Sequence, residues 1–402
     1  MKSNVNFFSG LYIFTYAAIG ALFPLIAQYL YSIGFSGSQI GIITALSTAI
    51  GILSNSLWGG IYHRRHRSKK IILLLCILTA LLSLLLMAVR SFWIFLILYV
   101  IVFFFENPVF PLIDSTVMEE NYPFGSARMW GSVGFATGIG IAGAVAERFG
   151  LLTIFPMFSV LFLLTALLVG IHLKNKRRSF HACDPVLPDD VEEYEDKMTE
   201  KQGGYKDLLH NGKYIALLSS TFFFSGPALS HNTYFSFLYK EAGGTIAGMG
   251  LVLLLMALSE TPFMAFAERI ASFLTTERAI FLAMTVSTLR FLWYGTNPSA
   301  ELLAATFILQ GIANGIGLVE IVKYIAKLSG PAMISLAIPL YTAVSSNCGA
   351  ITCQFLGGII VEDFGGRGVY LFYGLFNLIG LIIYLVSGLH KPAKGKSHTV
   401  IL

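Results

Sequence analysis

Residues 143–150 read Gly-Ala-Val-Ala-Glu-Arg-Phe-Gly, and residues 358–365 read Gly-Ile-Ile-Val-Glu-Asp-Phe-Gly. The two segments agree at four positions, and the offset between them is 215 residues at each position. Each segment ends a glycine-rich apolar stretch and is followed by an aromatic-rich apolar stretch. The repeat therefore predicts two related halves that end with the same pair of elements.

Apolar stretches of about 20 residues, the length of a helix that crosses a bilayer, account for most of the chain. Hydrophobic residues make up 55% of the 402 residues and charged residues only 12%, whereas soluble domains contain about 25% charged residues. The first stretch is too long for a signal peptide. The pattern predicts an all-α membrane protein with twelve transmembrane helices, at about 5–32, 38–61, 71–89, 92–118, 126–147, 151–172, 214–239, 246–268, 279–296, 301–325, 332–361 and 367–389.

The distribution of Lys and Arg indicates the orientation, because cytoplasmic loops are enriched in these residues. If the N-terminus is cytoplasmic and the spans alternate, 22 of the 27 basic residues lie inside and 4 outside, and Arg290 lies within a span. We therefore predict that both termini are cytoplasmic. The predicted organisation is a six-helix bundle at 1–172, a hydrophilic linker at 173–213, a second six-helix bundle at 214–390 and a cytoplasmic tail at 391–402.

Several functional classes are disfavoured. The net charge of +5 arises from residues beside spans, so we predict no nucleic-acid partner. The four Cys residues show no paired spacing, which argues against a disulfide framework or a metal site, and we predict no cofactor. The chain has no HExxH motif, nucleophile elbow or nucleotide-binding glycine loop, so an enzyme is not expected. We predict a monomeric multi-pass protein of a bacterial cytoplasmic membrane.

Ionisable side chains are few within the predicted spans, and they must face a bundle interior or a water-filled cavity because lipid does not solvate them. Glu106 and Asp114 are eight residues apart on the fourth span, about 80° around a helix, so both can face one cavity. Pro108 and Pro111 remove backbone hydrogen bonds between them and predict a loosened helix. The other candidates are Arg128, His231, Asn232, Glu260, Arg290, Glu320 and Lys323.

A longer motif lies in the fourth and fifth spans. Pro111-Leu-Ile-Asp114 and Phe124-Gly-Ser-Ala-Arg128-Met-Trp130-Gly-Ser-Val-Gly-Phe135 resemble the lactose permease branch of the major facilitator superfamily, which comprises oligosaccharide:proton and nucleoside:proton symporters and includes phenylpropionate-permease-like proteins. The resemblance implies that Asp114 pairs with Arg128 and that both contact the substrate. Such a pair can hold substrate oxygens. The predicted substrate-binding residues are Glu106, Asn107, Asp114, Arg128, Trp130, Phe135, His231 and Asn232.

The segment after the second span also resembles the superfamily. Gly59 is followed four residues later by His63-Arg64 and further basic residues, which resembles the cytoplasmic gate loop of major facilitator proteins. His63 stands where the family usually has Asp, so this chain departs from the usual charge relay between the halves.

The proton site of the permease is altered. Ser287-Thr-Leu-Arg290 and Val322-Lys323-Tyr-Ile resemble segments of its ninth and tenth helices, but Gln310 and Ala313 replace its histidine and glutamate. We predict that Glu260 carries the proton instead, because burial favours the uncharged form of a carboxyl group and contact with Arg290 favours the charged form. Glu320 is a second candidate, although Lys323 is one turn away and can neutralise it.

These observations predict a secondary active transporter that imports a small polar solute, namely a sugar, an oligosaccharide or a nucleoside, with protons as the coupling ion and by alternating access. Alternatives are an aromatic-carboxylate permease, since two arginines can bind an anion, an exporter of drugs or sugars, and a non-transporting receptor on the same fold.

Overall fold

The computed structural model describes residues 2–64, 69–120, 124–180, 205–330 and 333–391. These residues form helices and turns without any β-strand among them, which confirms the prediction of an all-α chain. The helices of the first part are α1 (Lys2–Ser32), α2 (Gly37–Arg64), α3 (Lys70–Leu85), α4 (Phe92–Glu106), α5 (Val109–Glu119), α6 (Phe124–Phe149) and α7 (Ile154–Phe180).

The remaining helices follow the hydrophilic segment. They are α8 (Tyr205–His210), α9 (Gly212–Glu241), α10 (Ile246–Leu274), α11 (Thr276–Tyr294), α12 (Ala300–Ala305), α13 (Phe307–Gln310), α14 (Ile316–Ser329), α15 (Ile334–Tyr341) and α16 (Cys348–Val386). Wider π-helical turns join α13 to α14, at Gly311–Gly315, and α15 to α16, at Thr342–Asn347.

Nine helical segments of the described chain are long and apolar enough to cross a membrane. One of them, Leu336–Val386, has 51 residues and would be about 77 Å long as a straight helix, more than twice the hydrocarbon thickness of a bilayer. It is interrupted at Gly365, whose φ of 65° is in the left-handed region that favours glycine. Two further helices, α9 and α11, have 30 and 19 residues and carry more polar side chains.

The helices differ from the predicted spans in three places. The predicted span 92–118 is broken between α4 and α5, where Pro108 stands, as expected for residues that lose a backbone hydrogen bond. The predicted span 301–325 is divided into α12, α13, a π-helical turn and α14. Helix α7 continues to Phe180, beyond the predicted boundary at residue 172. The acidic run of the predicted linker and the C-terminal tail from residue 392 lie outside the described residues.

Small residues allow close helix packing, which is typical of membrane helices. In the first part, α1 packs against α6 and α7, and a side chain at Gly134 or Gly138 of α6 would collide with the backbone of α1. In the second part, α9 and α11 pack against α16. The two parts meet where α2 packs against α16 and where α6 packs against α10.

The repeated segments of the sequence lie at these two meeting places. Gly143 of α6 faces Gly250 of α10, and an added Cβ at Gly143 would lie 3.1 Å from the Gly250 Cα. Gly358 of α16 faces Gly37 and Gly41 of α2, where an added Cβ would lie 2.5 Å from the Gly37 carbonyl oxygen. The repeat therefore marks the same kind of close helix contact twice.

Candidate functional site

A cavity of about 480 Å³ lies between the two parts of the protein. Tyr16 of α1 and Arg128, Ser132 and Phe135 of α6 line it from the first part. The second part contributes polar side chains from α9, α10, the α13–α14 region and the turn before α16, namely Asn232, Glu260, Gln310, Asn314 and Ser346. The volume is within the range of about 300–1,000 Å³ that is usual for small-molecule sites.

Helix α6 presents one face to the cavity, because Arg128, Ser132 and Phe135 follow the i, i+4, i+7 spacing. Arg128 Nη1 donates to Asp114 Oδ2 of α5 at 2.7 Å, and both side chains are partly exposed. The structure thus brings the predicted Asp114–Arg128 pair together at the edge of the cavity. Tyr12 donates its hydroxyl to the other Asp114 oxygen at 2.5 Å, and the Arg128 guanidinium lies over the Tyr16 ring, 5.3 Å from its centroid.

Glu260 of α10 lines the cavity and is held by two amides on one of its oxygens. Gln310 Nε2 and Asn314 Nδ2 donate to Glu260 Oε1 at 3.0 and 2.9 Å. These two donors are four residues apart, spanning the end of α13 and the π-helical turn. Because hydrogen-bond donors stabilise a carboxylate whereas apolar surroundings favour its protonated form, Glu260 is in an environment that can support either state.

Arg290 of α11 reaches Glu260 only through Gln310. Its Nη1 donates to Gln310 Oε1, so the amide connects the guanidinium to the carboxyl group. The arginine is almost fully buried and its guanidinium lies over the Phe291 and Tyr294 rings. Its Nε and Nη2 have no hydrogen-bond partner among the described residues. Arg290 is therefore a buried cation behind the cavity wall, since it does not line the cavity itself.

Three predicted substrate-binding residues, Trp130, Glu106 and Asn107, do not line the cavity. Trp130 is about 200° around α6 from Arg128 and is exposed on the opposite face. Glu106 is buried, and neither carboxyl oxygen has a partner among the described residues. Asn107 donates to the Phe103 and Ser47 carbonyls and joins the end of α4 to α2. α4 ends at Glu106 and α5 begins at Val109, although Asn107 and Pro108 between them keep helical dihedral angles.

His231 is also outside the cavity. It is fully buried on α9, and its Nδ1 is 2.6 Å from the Tyr370 hydroxyl oxygen. Aromatic rings of Phe235, Phe291 and Tyr294 surround it. Its neighbour Asn232 does line the cavity. Of these two predicted residues, the structure brings Asn232 to the cavity and not His231.

The predicted coupling residues of α14, Glu320 and Lys323, do not line the cavity. Glu320 is completely buried and lies 3.3 Å from Lys323, which also contacts Glu268 of α10 at 3.0 Å. Lys323 therefore pairs with a buried carboxylate on its own helix and with an exposed one on α10. The gate-loop residues Gly59, His63 and Arg64 form the exposed end of α2, and the following residues 65–68 lie outside the described chain.

The acids of the repeated segments form a second group of polar contacts between the two parts. Glu147 of α6 accepts the backbone N–H of Ala247, the second residue of α10, at 2.5 Å. Glu362 of α16 accepts the backbone N–H of Ser38, the second residue of α2, at 3.1 Å. Each carboxylate is favoured there by the partial positive charge of a helix N-terminus.

Sequence reasoning did not identify Tyr12, Tyr16 or Asn314 as part of the site. The sequence spacing does indicate two pairs of polar side chains on shared helix faces. Tyr12 and Tyr16 are four residues apart within an apolar stretch, and so are Gln310 and Asn314. The partners Asp114 and Glu260 are on other helices, and only the packing identifies them.

Comparison with known proteins gives one family and several relatives. The profile of the MFS_1 like family matches residues 6–372. A maltose permease of Geobacillus stearothermophilus is 30% identical over 390 residues, which cover 96% of this chain and 95% of that protein. YwbF, an uncharacterized transporter of Bacillus subtilis (strain 168), is 26% identical over 397 residues, which cover 96% of this chain and 95% of that protein.

Solved structures show the same fold at low sequence identity. A mutant of the nucleoside transporter NupG superposes with a TM-score of 0.79 and 15% identity over 95% of this chain and 99% of that chain. A POT family transporter in complex with 5-aminolevulinic acid superposes with a TM-score of 0.70 and 12% identity over 97% of this chain and 96% of that chain. At these identities the likeness concerns the fold alone.

Proposed function

This chain belongs to the MFS_1 like family, and from that premise we propose that it imports a sugar or an oligosaccharide together with protons. Family membership makes it a multi-pass membrane transporter and not an enzyme. The observation that carries the finer proposal is the cavity between the two parts. Its wall includes the Glu260 carboxyl group, which accepts hydrogen bonds from two amides.

The proposed membrane architecture has twelve spans in two halves. Helices α1–α7 supply six, with α4 and α5 together forming the fourth. The second half comprises α9, α10, α11, the α12–α14 segment, and two spans from α15–α16 divided at Gly365. The Lys and Arg distribution supports cytoplasmic termini, the division at 173–213 supports two six-helix domains, and the Bacillus and Geobacillus relatives support a bacterial cytoplasmic membrane.

A neutral, hydroxyl-rich solute fits the cavity better than an anion. The one guanidinium that lines the cavity, within the described chain, is Arg128, and its charge is balanced by Asp114 at 2.7 Å. Arg290 is behind the wall. The remaining polar groups include the amides of Asn232 and Asn314 and the hydroxyl of Ser132, which exchange hydrogen bonds with sugar hydroxyls without needing a charge. The resemblance to a maltose permease supports a sugar in particular.

Glu260 is the proposed proton carrier. It lies on the cavity wall, so a proton can reach it from the same water that admits the solute. Gln310 connects it to the buried charge of Arg290. A movement of α10 relative to α13 and the π-helical turn that follows it would break these contacts and change the balance between the charged and protonated forms. Such a state-dependent balance is what couples proton transfer to solute movement.

The structure supports an alternating-access mechanism in which this conformation is closed at the outer end. In the proposed topology, the contacts Glu147–Ala247 and Glu362–Ser38 lie at the outer ends of the helices that join the halves. The glycine contacts lie beside them. Within the described chain, the ion pairs near the opposite end, Lys69–Glu120 and Lys323–Glu268, each stay within one half. Outward opening would therefore require the two outer contacts to separate.

Counterflow tests the substrate class. Proteoliposomes loaded with unlabelled maltose, maltotriose, uridine or phenylpropionate at about 10 mM, roughly tenfold above the upper range of Michaelis constants, would be diluted into trace labelled solute of the same kind. We expect transient accumulation of labelled maltose or maltotriose only. Accumulation of uridine or phenylpropionate alone would refute the sugar assignment. A matched control is Arg128→Gln protein, which should lose the accumulation at equal reconstitution.

A further inference from the structure

A second cavity lies far from the transport site, at the end of the protein where α11 begins and α16 ends. Its volume is about 540 Å³. One group of its lining residues is basic, Arg278, His390 and Lys391, and the other is apolar, Leu274, Phe281 and Leu282. Among the residues that the structure describes, no acidic side chain lines it. A site with this division of charge and apolar surface suits a molecule with an anionic end and a hydrocarbon end.

The basic groups of this cavity are available to a ligand. Arg278 and Lys391 are exposed, and neither side chain forms an ion pair or a hydrogen bond within the described chain. The acid nearest to Arg278 in sequence, Glu277, is buried and pairs with Lys327 at 2.6 Å. His390 lies beside the Phe281 ring, with 6.5 Å between the ring centroids. Its buried Nδ1 has no hydrogen-bond partner among the described residues.

The apolar part of the cavity continues along α11 toward the middle of the membrane. Arg278, Leu282, Thr285 and Leu289 follow the i, i+4, i+7, i+11 spacing and therefore share one helix face. Leu282 and Leu289 are 36% and 62% exposed, so this face is not covered by protein. In the proposed topology the charged end of this face is at the cytoplasmic surface and its apolar end is within the bilayer.

We propose that this cavity binds the head group of an anionic phospholipid, with one acyl chain along the exposed face of α11. Arg278 and Lys391 contact the phosphate, His390 contributes a hydrogen bond, and Leu282 and Leu289 contact the chain. Basic pockets at the membrane surface recognise anionic head groups through charge, and a juxtamembrane Lys or Arg strengthens binding by about fivefold. The site is independent of the transported solute, so it stands whether or not the sugar assignment is correct.

Native mass spectrometry of the full-length protein tests this site. Detergent-solubilised protein would be incubated with equal concentrations of phosphatidylglycerol and phosphatidylcholine. We expect retention of one phosphatidylglycerol in preference to phosphatidylcholine. The double variant Arg278→Gln/Lys391→Gln should weaken that binding by roughly 25-fold, about fivefold for each charge. The control Lys240→Gln/Arg269→Gln, which removes the same charge from exposed positions outside the cavity, should bind as wild type does.

Three results would overturn the proposal: equal retention of both lipids by wild type, unchanged binding by the double variant, or complete displacement of phosphatidylglycerol by millimolar inorganic phosphate. The last result would identify a site for a soluble phosphate compound instead of a lipid. Leu282→Glu provides a second test, because it places a carboxylate beside the acyl chain and leaves both basic residues in place. It should reduce phosphatidylglycerol retention, and unchanged retention would also count against the site.

Discussion

Glu147 and Glu362 occupy equivalent positions in the two halves and form the same contact. Each accepts the backbone N–H of the second residue of a helix in the opposite half, Ala247 for Glu147 and Ser38 for Glu362. The rest of the repeat has matching roles. Gly143 and Gly358 permit close helix approach, and the last glycine of each segment has a positive φ, 90° at Gly150 and 65° at Gly365. The repeat is therefore a structural unit that joins the halves twice.

Removing these acids should favour the state that is open to the outside. A carboxylate at a helix N-terminus contributes about 1 kcal/mol, so each of Glu147→Gln and Glu362→Gln should shift the ratio of the two states by roughly fivefold, and the double variant should shift it further. Spin labels at Ser91 and Ser299, in a cysteine-free background, would report the distance between the halves at the outer end. We expect a longer distance component, largest in the double variant.

Glu241→Gln is the matched control for that measurement. Glu241 also accepts backbone N–H groups, from Gly366 at 2.6 Å and Arg367 at 3.3 Å, but both partners belong to its own half. It should therefore leave the label distances unchanged. Equal shifts in Glu241→Gln and in the two repeat variants would show that the repeat acids do not hold the halves together.

Replacing Arg128 by Lys should weaken sugar binding even though the charge is retained. An ammonium cannot hold a carboxylate and a substrate oxygen in the planar fork that a guanidinium provides. We expect the half-saturating sugar concentration in counterflow to rise by about tenfold, the consequence of losing one charged hydrogen bond of roughly 1.5 kcal/mol. Trp130→Phe, on the opposite face of α6, should not change it. An unchanged value for Arg128→Lys would place the substrate elsewhere.

We expect Glu320 and Lys323 to contribute to the stability of the folded protein and not to the coupling of proton and sugar movement. Lys323→Gln leaves the completely buried Glu320 carboxylate without its cation, which costs about 3–5 kcal/mol when the charge stays buried. The thermal unfolding temperature in detergent should therefore fall. Adding Glu320→Gln should restore much of it, because the uncompensated charge is removed. If Lys323→Gln alone abolishes proton movement with no loss of stability, the pair belongs to the coupling mechanism after all.

Gln310→Ala should weaken coupling more than binding. The substitution removes a donor to Glu260 and the acceptor of Arg290 at once, so the carboxyl group and the buried cation lose their connection. We expect the number of protons moved per sugar to fall while counterflow persists. Gln39→Ala, which affects a local contact with Ser36 in the loop between α1 and α2, is the control. A wild-type proton-to-sugar ratio in Gln310→Ala would rule out the relay.

Much of the fold follows from local sequence properties. Span length and the absence of charges are set by the bilayer, so the helices from α1 to α3 and α6 agree with the sequence prediction. The Asp114–Arg128 contact also follows from the sequence, because the family resemblance implies that an acid on the fourth span pairs with an arginine on the fifth. The interruptions within the long helical segments are harder to predict from the sequence. The π-helical turns at 311–315 and 342–347 have no clear composition signal.

The candidate site shows where sequence reasoning fails and why. Helix geometry predicts that Glu106 faces the cavity, but Glu106 is buried and is not among the residues that line it. The hydrogen bonds of Glu260 depend on how α10 packs against the α13–α14 region, which is a property of tertiary structure. Ionisable residues are rare in the spans, but their spacing alone does not distinguish a cavity residue from a buried carboxylate that pairs with a lysine, such as Glu320 with Lys323.

The most direct test of the central claim compares wild type with Glu260→Gln in proteoliposomes that contain a trapped pH dye. Glu268→Gln, an exposed acid on the same helix, serves as the control. We predict that adding the transported sugar acidifies the lumen with wild type and Glu268→Gln, whereas Glu260→Gln still performs counterflow but moves no protons. Sugar-dependent acidification by Glu260→Gln at the wild-type rate would contradict the assignment of Glu260 as the proton carrier.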